Sequence, residues 1–136
     1  MPRQKRHRKI EQPPGFKGYM PYGNLRGKTD HIDLLYEEYE AIKLADYDLM
    51  NHLEASKIMG VSRPTFARIY EAARRKIAKA LVETRQIKSV CGFASFEESW
   101  YICDKCHARF TLPDQVDTEH CPICKSTNIQ SIIPQA

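Results

Sequence analysis

At 136 residues the chain has room for one ordinary domain, or for one small domain with a smaller module attached, and a hydrophobic fraction of 42% is enough for a compact core. The formal net charge of +4 is unevenly spread: residues 1 to 94 hold 18 basic and 11 acidic side chains, residues 95 to 136 hold 3 and 6, which fits nucleic acid as partner of the larger part and a protein as partner of the acidic part. No stretch approaches the roughly 20 apolar residues of a membrane span, no apolar run follows the charged N-terminus as in a signal peptide, and five cysteines without a secretion signal argue for metal ligation rather than disulfides, so the expected setting is cytoplasmic with no membrane partner.

Residues 1–12 read as a basic arm, with Arg3, Lys5, Arg6, Arg8 and Lys9 as candidates to lie along phosphates or to reach into a minor groove. A solvated tail is the plainer use of such a charge run. Residues 12 to 30 are rich in turn formers (Pro13, Pro14, Gly15, Gly18, Pro21, Gly23, Gly27), which speaks against helix, and the interleaved Phe16, Tyr19, Met20 and Tyr22 are expected to fold back onto a helical core. The first helix should run from about Tyr36 to Ala45, with Tyr39, Ile42 and Ala45 on one stripe. Glu37, Glu38 and Glu40 lie in its first turn and suit the positive end of the helix dipole. With no nucleophile or metal ligand beside them, they are not read as an acid and base pair.

Residues 51 to 83 read as helix, tight turn and second helix. Ser56 is small where the two helices must approach, Gly60 supplies a positive φ for the turn, and Val61 points inward. Ser62 is a good N-cap, and Pro64 falls in the first helical turn, where its missing N–H has no partner to lose. Phe66, Ile69, Ala73, Ile77 and Ala80 recur at steps of three and four and define a buried face. Between residues 63 and 88 eight Lys or Arg stand against two Glu. In a DNA-recognition helix the N-terminal residues enter the major groove, so Arg63, Pro64, Thr65, Ala67 and Arg68 are candidates for base contact, and Arg74, Arg75, Lys76 and Lys79 for phosphates. Two packed helices with a solvated basic face would have the same periodicity.

The segments EEYEAIKLADYD and GVSRPTFARIYEAARRKIAKALVE, with the opening PRQKRHRKI, resemble a family of small prokaryotic proteins predicted to bind DNA through a helix-turn-helix similar to region four of sigma factors. The resemblance covers about residues 1 to 92. It implies a helix-turn-helix fold and DNA binding, with helix start at Ser62, recognition positions at Arg63, Thr65 and Arg68, and support from Gly60, Phe66 and Ile69. The chain departs from the family pattern at Leu35, where a Thr cap is usual, at His7, where a Cys is common, and at Thr84 and Cys91, where glycines are expected.

Residues 85 to 99 read as a link, with a short strand at RQIKSV and a charged connection at FASFEES, and Cys91 as a half-buried thiol without a partner at metal spacing. Beyond them, Cys103-Asp-Lys-Cys106 and Cys121-Pro-Ile-Cys124 are two CxxC pairs separated by 14 residues. Two such turns can present four sulfurs to one ion, so Cys103, Cys106, Cys121 and Cys124 are the metal candidates, with zinc first and a rubredoxin-like iron site as the alternative. The pattern resembles a zinc ribbon, with strands at Trp100–Ile102, Ala108–Leu112 and Ile129–Ile133. His107 and His120 flank the ligands as surface residues.

These observations combine into a mainly α chain: a basic arm at 1–12, a helix-turn-helix domain of three or so helices at 13–92, and a small β zinc ribbon at 93–136. The expected function is sequence-specific binding of double-stranded DNA by a transcriptional regulator that is not an enzyme. A homodimer and a protein partner for the acidic ribbon are compatible with it. An RNA-binding or ribosome-associated protein, a redox carrier and a protein-interaction adaptor are the other classes.

Overall fold

A computed structural model of the protein describes residues 7–23, 30–96, 99–111 and 120–132. Helix α1 (Tyr36–Ile42) starts after Leu35, which has no side-chain oxygen to offer; Glu38 Oε1 instead reaches back to accept the Leu35 amide at 2.8 Å. The helix continues into one π-helical turn (Lys43–Tyr47), closed by Asp48 N donating to Lys43 O at 2.8 Å. Helix α2 (His52–Met59) is capped by Asn51, whose Oδ1 accepts from Glu54 N at 2.8 Å, and it stops at Gly60 with φ 66°, a conformation that glycine adopts without strain. Helix α3 (Arg63–Glu83) begins with Ser62 Oγ accepting from Thr65 N at 3.3 Å.

The three helices enclose one core. Ala41, Leu44, Ala55, Met59 and Phe66 are fully buried in it, with Val61, Ile69 and Tyr70 packed alongside. Ser56 is buried where α2 meets α3, as its small volume allows. Ala73 and Ala80 are buried further along α3, whereas Ile69 and Ile77 are only half-buried.

A mainly α class is not what the chain adopts. Among the described residues, eight short strands form three small sheets around these helices. β1 (Arg8–Lys9) pairs in parallel with β5 (Ala94–Ser95). β2 (Gly18–Tyr19), β4 (Gln86–Val90) and β3 (His31–Leu35) form the second sheet; β3 and β4 are parallel, with all three helices as the crossover between them. The short strand expected at RQIKSV is β4, but it is the central strand of a sheet and not part of a link. A third sheet holds β7 (Arg109–Thr111), β6 (Trp100–Cys103) and β8 (Ile129–Ile132), all antiparallel, at the positions expected for a ribbon; Leu112 and Ile133 lie outside the described residues.

A second apolar cluster joins these parts. Ile10, Tyr36 and Ala94 are buried together, with Cys91, Phe96 and Ile132 of β8 against them. Arg8 N donates to Phe93 O at 2.8 Å and Ile10 N to Ser95 O at 3.0 Å, so residues on both sides of positions 12 and 92 share one packing unit.

Candidate nucleic-acid interface and metal centre

α3 carries the first candidate surface. Arg63, Pro64 and Arg68 are exposed on its leading turns, and Thr65 and Ala67 are half-buried. The Thr65 hydroxyl accepts from Ser62 Oγ at 2.9 Å and from Arg68 Nη2 at 3.4 Å, which ties the arginine to the capped turn. Arg75 and Lys79 are exposed seven and eleven residues after Arg68, and those steps bring them back onto one stripe of the helix. Arg75 also takes Glu71 at 2.8 Å, a surface pair of small worth.

Two of the expected phosphate contacts are otherwise engaged. Lys76 Nζ is held by Glu38 Oε1 at 2.7 Å and by the Asp33 carbonyl at 2.8 Å, so it anchors α3 to α1. The Arg74 guanidinium lies over the Tyr70 ring, 5.3 Å from its centroid. Arg3, Lys5 and Arg6 of the arm lie outside the described residues. Arg8 and Lys9 are inside them, and a Cβ placed on Gly60 would meet the Lys9 stem at 3.5 Å, so the end of the arm runs across the turn between α2 and α3. The Arg8 guanidinium packs 5.5 Å from the Phe93 ring centroid.

The glutamates of α1 are not dipole partners at the surface. Glu37, Glu38 and Glu40 are all buried. Glu37 accepts the Phe93 amide on both oxygens at 3.1 Å, and Gly92 makes room for it, since a Cβ there would stand 2.5 Å from Glu37 Oε1. Glu40 faces Lys43 Nζ at 3.8 Å, and that ammonium is shared with Glu11 at 3.0 Å and Asp48 at 3.5 Å. Burial pushes the Glu40 carboxyl up to about 7; Lys43 and the Glu11 backbone amide oppose the shift, while the charges of Glu11 and Asp48 add to it. Periodicity gave no sign of this cluster, because Glu11, which shares Lys43 with Glu40, comes from a distant segment of the chain.

The candidate metal site lies at the end of the third sheet. The four ligand atoms of Cys103, Cys106, Cys121 and Cys124 all lie within 4.8 Å of one another, and Cys103–Cys124 and Cys106–Cys121 are each 3.5 Å apart. A tetrahedron with metal–sulfur bonds near 2.3 Å has edges of roughly 3.8 Å, inside that range, whereas a disulfide needs about 2.05 Å. Both CxxC turns are built alike. His107 N donates to Cys103 O and Lys125 N to Cys121 O, each at 2.9 Å, and His107 and Lys125 both take positive φ, 63° and 66°. Amides in each turn point at the first sulfur: those of Cys124 and Ile123 bring the Cys121 thiol down to about 6 against its burial, and those of Cys106 and Lys105 lower Cys103. At Cys106 the Ala108 amide acts in the same direction, but burial and the neighbouring sulfurs outweigh it and push that thiol up to about 12. Four sulfurs this close together, with none bonded to another, are a donor set that fits a metal ion. Among the described residues this is the one such group of donors, and neither His107, His120 nor Cys91 belongs to it.

A family model described as protein of unknown function DUF134 matches residues 1–93. The chain belongs to that family. DUF134 ends before the metal centre, but similarity to individual relatives continues through it. A UPF0251 protein of Chloroherpeton thalassium is 36% identical over 132 residues, covering 97% of this chain and 87% of that protein. One from Caldicellulosiruptor saccharolyticus is 39% identical over 129 residues, 95% and 88% of the two chains. One from Methanothermobacter thermautotrophicus is 35% identical over 132 residues, 97% and 68%. No solved structure matches the chain. Among the described residues no helix is long and apolar enough to cross a membrane.

Proposed function

We propose that this protein binds double-stranded DNA sequence-specifically as a transcriptional regulator, by recognition and without catalysis. The observation that carries this is the leading end of α3: a Ser62-capped, 21-residue helix offers Arg63, Pro64 and Arg68 to solvent directly after the left-handed Gly60 turn, with Lys9 laid across that turn. In the major groove such a helix start meets base edges. Arg63 and Arg68 have the forked donors that suit guanine, and Thr65 suits a base edge or the thymine methyl. Arg75, Lys79, Arg8 and Lys9 supply phosphate contacts, whose affinity comes from counterion release.

The four-cysteine centre we assign to zinc in a structural role. Four protein sulfurs close the coordination shell and leave no open position for substrate. The small ribbon core, with Cys103, Cys121 and Phe110 at its centre, depends on the ion for much of its stability. Metal analysis of the purified chain should find one zinc per chain and no visible iron absorbance.

The test of DNA recognition is fluorescence anisotropy on sequences selected from a random duplex pool. Arg68→Ala should lose about 1 to 3 kcal/mol on the selected site and relax preference at one base pair, whereas Lys79→Ala should weaken all sequences alike and lower the salt slope by about one. Equal losses for both variants on selected and random DNA would refute direct readout by Arg68. Structured RNA is a second reading, favoured by the exposed Tyr19, Met20 and Tyr22 beside Lys17 and Lys88, which could stack unpaired bases. Tighter binding to RNA than to any selected duplex, lost in Tyr22→Ala, would establish it.

A further inference from the structure

The four sulfurs of the cluster are not equally shielded. Cys103 and Cys121 are buried with Phe110, and Cys124 is half-buried against them with Tyr101 and Ile129. Cys106 lies outside this apolar group and is exposed, as are Asp104, Lys105 and His107 around it. Facing them on the second turn, Pro122 is exposed and Ile123 is 71% exposed. One ligand sulfur is therefore open to small molecules from solvent while its three companions are covered.

The sulfurs also pair across the turns. Cys106 Sγ stands 3.5 Å from Cys121 Sγ, and Cys103 Sγ 3.5 Å from Cys124 Sγ. A disulfide needs about 2.05 Å, so a movement of roughly 1.5 Å, shared by two turns, joins the exposed sulfur to its buried neighbour.

We infer that the cluster is an oxidant-sensitive switch, in which a peroxide oxidises Cys106 and Cys121 then closes a disulfide to it, taking two of four ligands from the ion. The inference rests on the metal assignment above and concerns the regulation of that same site. The Cys106 thiolate attacks one oxygen of hydrogen peroxide, the O–O bond breaks, and the departing hydroxide takes a proton and leaves as water, so that Cys106 becomes a sulfenic acid. The Cys121 thiolate attacks that sulfur, the S–O bond breaks, and a second hydroxide leaves as water with a proton from solvent. Two thiolates give up two electrons, and one peroxide and two protons become two waters. A thiol reductant reverses the change by exchange.

Cys103 and Cys124 alone cannot close a four-sulfur shell, so oxidation removes the ion from the end of β6. β8 runs from Ile129, opposite Cys103, to Ile132 against Ile10 and Tyr36. Loss of the ion is thereby felt at the bonds from Arg8 N to Phe93 O and from Ile10 N to Ser95 O.

The test adds equimolar hydrogen peroxide to the full-length, zinc-loaded chain and follows zinc with a chromophoric chelator. Zinc should appear in step with the peroxide consumed. A sulfenate-trapping diketone present from the start should label Cys106 first, and a non-reduced peptide map of the product should show Cys106 joined to Cys121. Hydrogen exchange at the Arg8 and Ile10 amides should speed up by about tenfold or more on oxidation, and dithiothreitol with added zinc should restore the slow rate. Cys91→Ala removes the remaining cysteine and should change none of these results. Zinc retained in excess peroxide, a link within one CxxC turn, a first label on another cysteine, or exchange that does not respond would each overturn the proposal. Zinc content measured before peroxide separates the two readings: a chain that never held zinc fails the metal assignment and the switch with it, whereas a loaded chain that keeps its ion in peroxide fails the switch alone.

Discussion

Glu40 occupies a position that few carboxylates tolerate, with none of its surface exposed and neither oxygen hydrogen-bonded with good geometry among the described residues. Its carboxyl holds a proton up to about 7, above its ordinary value of 4.5. The folded state therefore binds that proton more tightly than the unfolded state does. The stability this contributes is complete below about pH 4.5 and is lost as pH rises through about 7. Glu40→Gln should remove this slope: at pH 8 the variant should be more stable than the parent by up to about 3 kcal/mol, and the two should converge in acid. Urea unfolding of both chains across that range measures the difference, and a constant offset would show that Glu40 stays ionised. At this scale the sequence was least legible. Three glutamates in a first helical turn look like surface dipole partners until the Phe93 amide, Lys76 and Lys43 are found against them. Lys76 misled in the same way, since a cation on a basic helix is not visibly different from one committed to Glu38.

The helices were legible because their signals are local. Ser62, Pro64 and Gly60 lie within five residues of one another, and each acts on the backbone beside it. The strands at RQIKSV and in the ribbon were marked, but β1, β2 and β3 were not: Arg8 pairs with Ala94 and His31 with Gln86, and strands of two to five residues with distant partners are too short for a period-two pattern to stand out. The metal turns were legible for the same reason as the helices, since two cysteines three positions apart fix a turn by themselves. α3 also ends in a way the sequence marked as irregular, at Thr84 with φ 54°, where the related family is expected to carry glycine. A β-branched residue is strained in that region. Thr84→Gly should therefore stabilise the chain by about 1 kcal/mol, the relief of strain exceeding the added flexibility of the unfolded chain. A urea midpoint that stays level or falls would mean that the turn stores no strain there.

Across the whole molecule, the four-cysteine cluster and the α2–α3 pair are joined by a short physical path. Cys103 ends β6 and sits opposite Ile129 of β8, and Ile132 at the other end of β8 packs into the cluster of Ile10, Tyr36 and Ala94. Ile10 directly follows Lys9, whose stem lies over Gly60, and the neighbouring Glu11 is held by Lys43. On the proposal that the four cysteines hold an ion and α3 binds DNA, loss of the ion would take from β8 the support that keeps Ile132 against Ile10, and the end of the arm would no longer be held across the turn before α3. Removing the metal, with a chelator or by Cys103→Ser with Cys121→Ser, should then lower DNA affinity by about the contribution of the arm. Lys9→Ala should reduce affinity and the salt slope by about one in the metal-loaded chain and change little in the metal-free one. Reciprocity requires that DNA tighten metal binding by the same factor, which chelator competition with and without duplex measures independently. Additive effects of Lys9→Ala and metal loss would mean that the two ends of this path act separately, and that the ribbon serves a partner of its own.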